Sequence, residues 1–398
     1  MALLPVADAL VRVLDAAGPL GAEQAALHEA VGRVLAGDIA ALRTQPPQDV
    51  SAMDGYAVRA ADVATAPVRL AVTGEVAAGK PSAGRVGAGE AIRIFTGGVI
   101  PAGADTIVVQ EDTAADGAHV TVHAATRPDR HIRRAGIDFN AGDVLLPRGR
   151  RLNARDLALA AAMNHAKLPV HGRPKMAMIA TGDELVLPGQ APGPGQIVYS
   201  NGYAIAALAE AEGAAVTNLG IVPDRIDATV AAIRAARAAQ ADIIVTTGGA
   251  SVGDYDFVQK ALAAEGMELS FWRIAMRPGR PLMHGRLGAT HVLGLPGNPV
   301  SAYVCAVLFL VPLIRKLAGR VDFLPAPESA RLGCDLKAND ERADYLRATL
   351  SGGIATPFPV QDSSLTYLLA QADCLLIREA FAPAARAGEA CRILKFFF

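Results

Sequence analysis

Ile243-Ile-Val-Thr-Thr-Gly-Gly-Ala-Ser-Val-Gly-Asp-Tyr-Asp256 is the stretch on which the fold of this chain turns. Its first three residues close an apolar run of the kind that forms a buried strand. Thr246 to Gly253 is a hydroxyl- and glycine-rich turn, and Phe257, Val258, Ala261 and Leu262 then repeat at helical spacing. A glycine turn between strand and helix lets backbone N–H groups approach an anion, and the helix N-terminus adds partial positive charge. Asp254 and Asp256 follow, two carboxylates that could hold a divalent cation on a bound phosphate. The combination points to an α/β sheet carrying a phosphate-bearing ligand with a metal. By itself, Gly-Gly-x-Ser also reads as an ordinary glycine turn.

The surrounding rhythm agrees. From Lys175 onward, apolar runs (Met176–Ala180, Val216–Val222, Ile243–Val245, Leu269–Ile274, Val292–Leu295) alternate with helical segments at Tyr203–Glu212, Ala228–Ala239 and from Pro299. Such alternation predicts a parallel sheet with helices on both faces and ligands beyond the carboxyl ends of its strands. Thr181-Gly-Asp-Glu184, Pro223-Asp224 and Thr247-Gly-Gly249 all fall at those ends.

Upstream, Val6, Leu10, Val13 and Leu14 form one helical stripe, and Ala22 to Leu35 reads as a second helix. After Thr44-Gln-Pro-Pro-Gln48, short β-like runs separated by Gly and Pro continue to about residue 130, and Asn153 is a candidate N-cap for a returning helix. Beyond Gly319 the helices stop and β-like segments take over. The expected fold class is a multidomain α/β protein. It has a doubly wound α/β domain (174–319), a helical or elongated domain in two pieces (1–43 and 142–173), a β-rich domain inserted between them (44–141) and a small C-terminal β domain (320–398).

Composition narrows the function. The chain has 398 residues, 52% hydrophobic and 19% charged, and a net charge of −1. Such a chain folds, is long enough for several cores, and is not a nucleic-acid binder or a membrane-surface protein. Cys305, Cys334, Cys374 and Cys391 are scattered without metal-ligand or disulfide spacing, as expected of thiols in a reducing cytoplasm. No secretory signal is evident at the N-terminus. Residues 292–314 carry no charge, but Pro296, Gly297 and Pro299 break the first third, so the remainder is expected to be a buried helix too short to span a bilayer. His119 and His123 share one face of a β-like run, which is weak support for a metal site.

Seven segments carry a family likeness: Ser51-Ala-Met-Asp-Gly-Tyr-Ala57, Phe95-Thr-Gly-Gly98, Pro101-Ala-Gly-Ala-Asp105, Ile132-Arg-Arg-Ala-Gly-Ile-Asp138, Thr181-Gly-Asp-Glu-Leu185, Thr247-Gly-Gly-Ala-Ser-Val-Gly253 and Leu295-Pro-Gly-Asn-Pro-Val-Ser301. Together, and in this order, they resemble the molybdopterin molybdenumtransferase family, which includes bacterial MoeA and the E domain of gephyrin. The resemblance implies a molybdopterin-binding α/β domain and the last step of molybdenum cofactor assembly. In that step adenylylated molybdopterin is cleaved at its pyrophosphate with Mg²⁺, AMP leaves, and molybdate enters the dithiolene. It further implies Asp54, Thr96, Asp138, Glu184, Asp224 and Asp256 as catalytic residues, with Asp224, Asp256 and Glu184 toward the metal. Thr247, Gly248, Gly249, Ser251, Pro296 and Pro299 would shape the ligand site. A homodimer is implied, because the β-rich domain reaches the partner's α/β site in the family. The adenylyltransferase of the preceding step is a candidate partner.

Phe271-Trp-Arg-Ile-Ala-Met-Arg-Pro-Gly-Arg-Pro281 departs from the family pattern, with Arg273, Arg277 and Arg280 where many relatives have Lys. Guanidinium keeps the charge and can bind oxyanions bidentately, so these positions read as electrostatic clamps. Arg347 and Ser363 align with the family's molybdate-binding Arg and Ser, although Gln361-Asp-Ser-Ser364 stands where Gly-Ser is commoner. Two rivals are the adenylyltransferase itself, which is essentially the α/β domain alone, and a non-catalytic molybdopterin scaffold or carrier, which would not require the full carboxylate set.

Overall fold

The computed structural model describes residues 3–80, 84–248 and 257–396. Three six-stranded sheets organise the chain.

The sheet that carries the ligand motifs runs in the order Ala215–Val222, Lys175–Thr181, Ile243–Thr247, Thr290–Leu295, Met283–Leu287, Glu268–Trp272. Alternation along the central strands separates two cores, as a sheet buried on both faces requires. Met176, Met178, Ile243 and Val245 face one, and Ala177, Ile179 and Ile244 face the other. Ile205 and Leu208 of helix Asn201–Ala211 and the helix from Pro299 cover the first face, while Ile226–Ala238 and Phe257–Ala264 cover the second. The first four strands are parallel, but Met283–Leu287 runs antiparallel to both its neighbours, so the sheet is mixed. The cause is length: only Gly288 and Ala289 separate it from the next strand, enough for a hairpin and far too few for a crossover.

The apolar run beyond Pro296 forms a 19-residue helix, Pro299–Leu317, longer than the sequence led us to expect and long and apolar enough to cross a membrane by length and composition. It is a core helix here, 78% buried. A π-helical turn at Ala306–Leu310 accommodates Pro312, which cannot supply the N–H of a regular helix. Helix Val6–Asp15 docks on the same core through Ala9, Val13 and Leu14.

Ala22–Leu35 is not a helix. Ala22–Ala26 is a strand, antiparallel to Lys167–His171, followed by a single 3₁₀ turn at Leu27–Glu29. Its residues are strong helix formers, and the tertiary pairing that buries Ala25 against Leu168 and Val170 overrides that preference. Asn153 does cap helix Ala154–Ala162, forming a reciprocal capping box with Asp156.

Residues 44–141 hold the second large sheet, in the order Thr106–Val109, Gly55–Val58, Glu90–Ile94, Val68–Val76, His119–Val122, Thr113–Asp116. Gly55 is obligatory there, because a Cβ would lie 2.0 Å from the carbonyl oxygen of Val108. In the C-terminal sheet, Ala343–Ser351 pairs with both Ile354–Pro357 and Cys374–Arg378, closing a five-stranded barrel. Two corrections apply: a short helix, Thr366–Ala370, lies beside the barrel, and its sheet gains a sixth strand, Met276–Arg277, contributed from the α/β region.

Candidate active site

The carboxyl ends of the parallel strands converge. Gly248, with φ +89°, abuts the end of the neighbouring strand so closely that a Cβ would meet the Thr181 carbonyl oxygen at 2.4 Å. A Cβ on Gly297 would lie 3.9 Å from the Gly248 Cα. Glycine at these positions lets three strand-end turns crowd together, so a ligand seated there meets backbone rather than side chains. Thr181 and Thr247 are buried, and among the described residues the Thr181 hydroxyl has no hydrogen-bond partner. Tyr199 is buried with its hydroxyl against the Thr247 side chain. Buried polar groups are costly without partners, and unmatched ones at strand ends mark where a polar ligand can be received.

Asp224 lies at the end of the outermost parallel strand, half-buried, its N–H donating to Asp183 Oδ1 at 3.2 Å. Burial, with the neighbouring charges of Asp183 and Glu184, raises its pKa above the usual carboxylate value. Glu184 is exposed on the same turn. Among the described residues, no group of three or more His, Cys, Asp or Glu could enclose a metal. That donor set still suits Mg²⁺, which keeps most of its water and needs only one or two carboxylates plus ligand phosphate oxygens. Gly249, Ser251 and Asp256 lie outside the described residues.

The Leu295–Ser301 turn closes the site against the C-terminal barrel. Pro296 is buried, and Pro299 opens the long helix. Asn201 Nδ2 donates to the Gly297 carbonyl at 2.6 Å, and Asn298 Nδ2 donates to Ser363 Oγ at 2.8 Å. The Val300 N–H adds a 3.0 Å bond to the Ser363 carbonyl. Ser363 is therefore brought to the α/β strand ends. Arg347 is not free to follow it: only 1% exposed, its guanidinium donates to the carbonyls of Leu365 (3.1 Å), Asp362 (2.9 Å) and Val360 (3.4 Å). Burial pulls its pKa below the ordinary guanidinium value.

The three arginines of the cationic loop differ in environment. Arg273 is half-buried with φ +85°, its guanidinium 5.2 Å from the Trp272 ring centroid and its Nε without a partner among the described residues. Arg280 is exposed, and its carbonyl accepts from Ile274 and Leu282. Arg277 pairs with Asp344 and Asp340.

Asp54 and Thr96 meet in the β-rich region. Asp54 Oδ1 accepts the Thr96 N–H at 2.7 Å and the Thr96 hydroxyl at 2.8 Å, and these bonds hold its pKa below the usual range. Asp138 is exposed on the same module, its N–H donating to the Gln45 carbonyl. All three make their hydrogen bonds within residues 44–141.

Sequence reasoning missed Tyr199, Asn201 and Asn298 as site residues. Asn298, inside Pro-Gly-Asn-Pro, carried the only available signal, and it reads equally well as an ordinary helix start.

A multidomain protein built on a molybdopterin-binding type of α/β domain accounts for these features, and comparison with known proteins agrees. Three family models match: the MoeA N-terminal region (domains I and II) at residues 4–164, a probable molybdopterin binding domain at 177–316, and the MoeA C-terminal region (domain IV) at 329–396. The chain is 40% identical to the molybdopterin molybdenumtransferase of Nostoc over 81% of its own length and 76% of the relative's. It is 35% identical to that of Haemophilus influenzae over 95% of each. The crystal structure of the molybdopterin biosynthesis MoeA protein of Pyrococcus horikoshii superposes with a TM-score of 0.85 at 30% identity, covering 100% of both chains. The chain belongs to the molybdopterin molybdenumtransferase (MoeA) family and is an enzyme of that family.

Proposed function

We propose that this enzyme inserts molybdenum from molybdate into adenylylated molybdopterin, releasing AMP. The single observation that carries the reading is the cluster of buried hydroxyls of Thr181, Thr247 and Tyr199 under a glycine turn, at the strand ends that also carry Asp224. A pyrophosphate linking pterin and adenosine offers the acceptors those hydroxyls and strand-end N–H groups need, and its negative charge offers Asp224 a reason to share a cation. Asp224 and Glu184, with Asp256, would hold Mg²⁺, which when bound neutralises charge on the pyrophosphate and its leaving phosphate. Thr181 and Thr247 fix the diphosphate in place, Ser363 faces the incoming oxyanion, and Arg273 and Arg280 supply positive charge for the dianion.

In this reading Asp54, Thr96 and Asp138 act from a second copy of the chain, so the working unit is a homodimer divided into the four parts set out above. Asp54 stays ionised and can accept a proton or orient water at the partner's site. Four free thiols suit a cytoplasmic setting, and substrate hand-over from the adenylyltransferase is part of the same proposal.

The test is AMP release from adenylylated molybdopterin by the purified protein with Mg²⁺, with and without molybdate. Molybdate-dependent release supports the proposal. Tight binding without release would instead indicate a carrier, and consumption of ATP and molybdopterin to form the adenylylated compound would indicate the preceding enzyme.

A further inference from the structure

The loop between Trp272 and Met283 is fixed at its base by its own backbone. Ile274 N–H donates to the Arg280 carbonyl at 3.0 Å and Arg273 N–H to the Leu282 carbonyl at 3.1 Å. At its tip the loop leaves the α/β region altogether. Met276 and Arg277 pair in parallel with Ala343 and Asp344 of the barrel, and Ala343 N–H donates to the Ala275 carbonyl at 2.9 Å. The Arg277 side chain then reinforces that junction: Nε reaches Asp344 Oδ1 at 2.7 Å and Nη2 reaches Oδ2 at 2.9 Å, a two-point fork. Asp340 adds a third contact at 3.3 Å. Asp344 is 9% exposed, so this pair is largely withdrawn from solvent on the carboxylate side.

Lysine could not make this contact, since an ammonium is a point charge and cannot bind both carboxylate oxygens in a fork. A dianion approaching Arg277 would also face Asp344 and Asp340, whose charges already balance the guanidinium and repel the newcomer. Among the described residues Arg273 and Arg280 form no ion pair like that of Arg277 with Asp344 and Asp340, and the buried Arg273 Nε has no partner there.

We infer that Arg277 and Asp344 are positioning residues, an interdomain strap that holds the cationic loop to the barrel and aims Arg273 and Arg280 at the oxyanion, and that Arg277 does not itself bind the oxyanion. The inference rests on the molybdate reading above for its kinetic consequence, but the strap stands on geometry alone.

Two readouts on the full-length protein test it. In hydrogen exchange without substrate, Asp344→Asn is expected to speed exchange at the Ala343 amide and across residues 273–282, while Ile244 in the central strand is unaffected. Unchanged exchange at Ala343 overturns the strap, whether or not the wild-type protein shows molybdate-dependent turnover. In AMP-release kinetics, Asp344→Asn and Arg277→Lys are each expected to raise the molybdate KM roughly tenfold with little change in kcat, as small misplacements of binding groups do. The combined exchange Arg277→Asp with Asp344→Arg should return most of that loss. Were Arg277 the oxyanion ligand, Asp344→Asn would free it and leave the molybdate KM unchanged or lower, and the charge swap would rescue nothing.

Discussion

Thr96 grips Asp54 twice, through its N–H at 2.7 Å and its hydroxyl at 2.8 Å, both to the same carboxylate oxygen. Two donors on one oxygen stabilise the ionised form, and Arg93 adds a smaller electrostatic contribution. Asp54 is therefore charged throughout the physiological range, and protonating it requires a pH below its ordinary value of 3.8. Thr96→Val removes the hydroxyl and keeps the N–H. The Asp54 carboxyl should then titrate higher, and the acid limb of turnover should move up with it. Carbon-detected titration of the Asp54 carboxyl checks the first statement, and a pH–rate profile the second. Asp54→Asn, by the same argument, should lower turnover on the order of a hundredfold or more.

Asp224 behaves in the opposite sense. Burial, Asp183 and Glu184 disfavour its ionised form in the fold, so its pKa is raised. Such a group contributes stability below its unfolded-state value, and that contribution disappears as pH rises through the folded value. At neutral pH Asp224→Asn should thus be slightly more stable than the parent. The gain is small, because the carboxyl is partly solvated and its interactions are screened. The gap should close below the ordinary aspartate value of 3.8. Mg²⁺ should raise the parent's Tm and leave the variant's unchanged, because ligand linkage requires the ligand site. Scanning calorimetry with and without Mg²⁺ measures both, and an equal Mg²⁺ shift in the two proteins would sink the assignment.

How much of this was legible in the sequence depended on whether the deciding contact was local. Ile243–Thr247 and Lys175–Thr181 announced themselves because strands buried on both faces read as unbroken apolar runs. Thr181, Asp224 and Thr247 could be placed at strand ends by counting. Ala22–Ala26 could not, since its strand identity comes from Lys167–His171, well over a hundred residues away. Met283–Leu287 was not among the expected strands: its short hairpin with Thr290–Leu295 was masked by the dominant strand–helix rhythm. The split among Arg273, Arg277 and Arg280 was invisible, because it depends on Asp344 arriving from a different sheet.

A buried histidine pair on the hairpin is expected to cost stability on the acid side. His284 and His291 are each 2% exposed, with ring centroids 5.8 Å apart. Burial, with Arg286 nearby, lowers their pKa values from 6.5 to about 4 and about 3. Both are neutral in the fold, whereas the unfolded chain takes up protons below 6.5. Stability from this pair is therefore complete above the unfolded value and falls as pH drops, by up to ~1.4 kcal/mol per pH unit for each histidine, until the folded values are reached. His284→Phe combined with His291→Leu should flatten that slope. Urea midpoints measured from neutral pH down to about pH 4 would show it, and an unaltered slope would assign acid sensitivity elsewhere.

Arg347 provides the clearest contest between an anion-binding role and a structural one. Its guanidinium donates to three carbonyls, all within residues 360–365, while Gln361 clasps its backbone through both the N–H and the C=O, each at 3.0 Å. The segment so fixed includes Ser363, whose hydroxyl and carbonyl are bonded to Asn298 and Val300 of the α/β region. At 1% exposure Arg347 is tied to Ser363 through the segment it holds, and a structural role acting through Ser363 is what its variants test. Arg347→Met strands three carbonyls that the guanidinium now satisfies, at a cost of about 3 kcal/mol. Arg347→Lys keeps the charge but cannot span the three acceptors from one ammonium, so it should recover only a minor part of that loss. Both variants should unfold earlier in urea, and both should expose the 360–365 amides to exchange. A direct oxyanion ligand would behave otherwise: Arg347→Met would raise the molybdate KM while stability and exchange stayed at parental values.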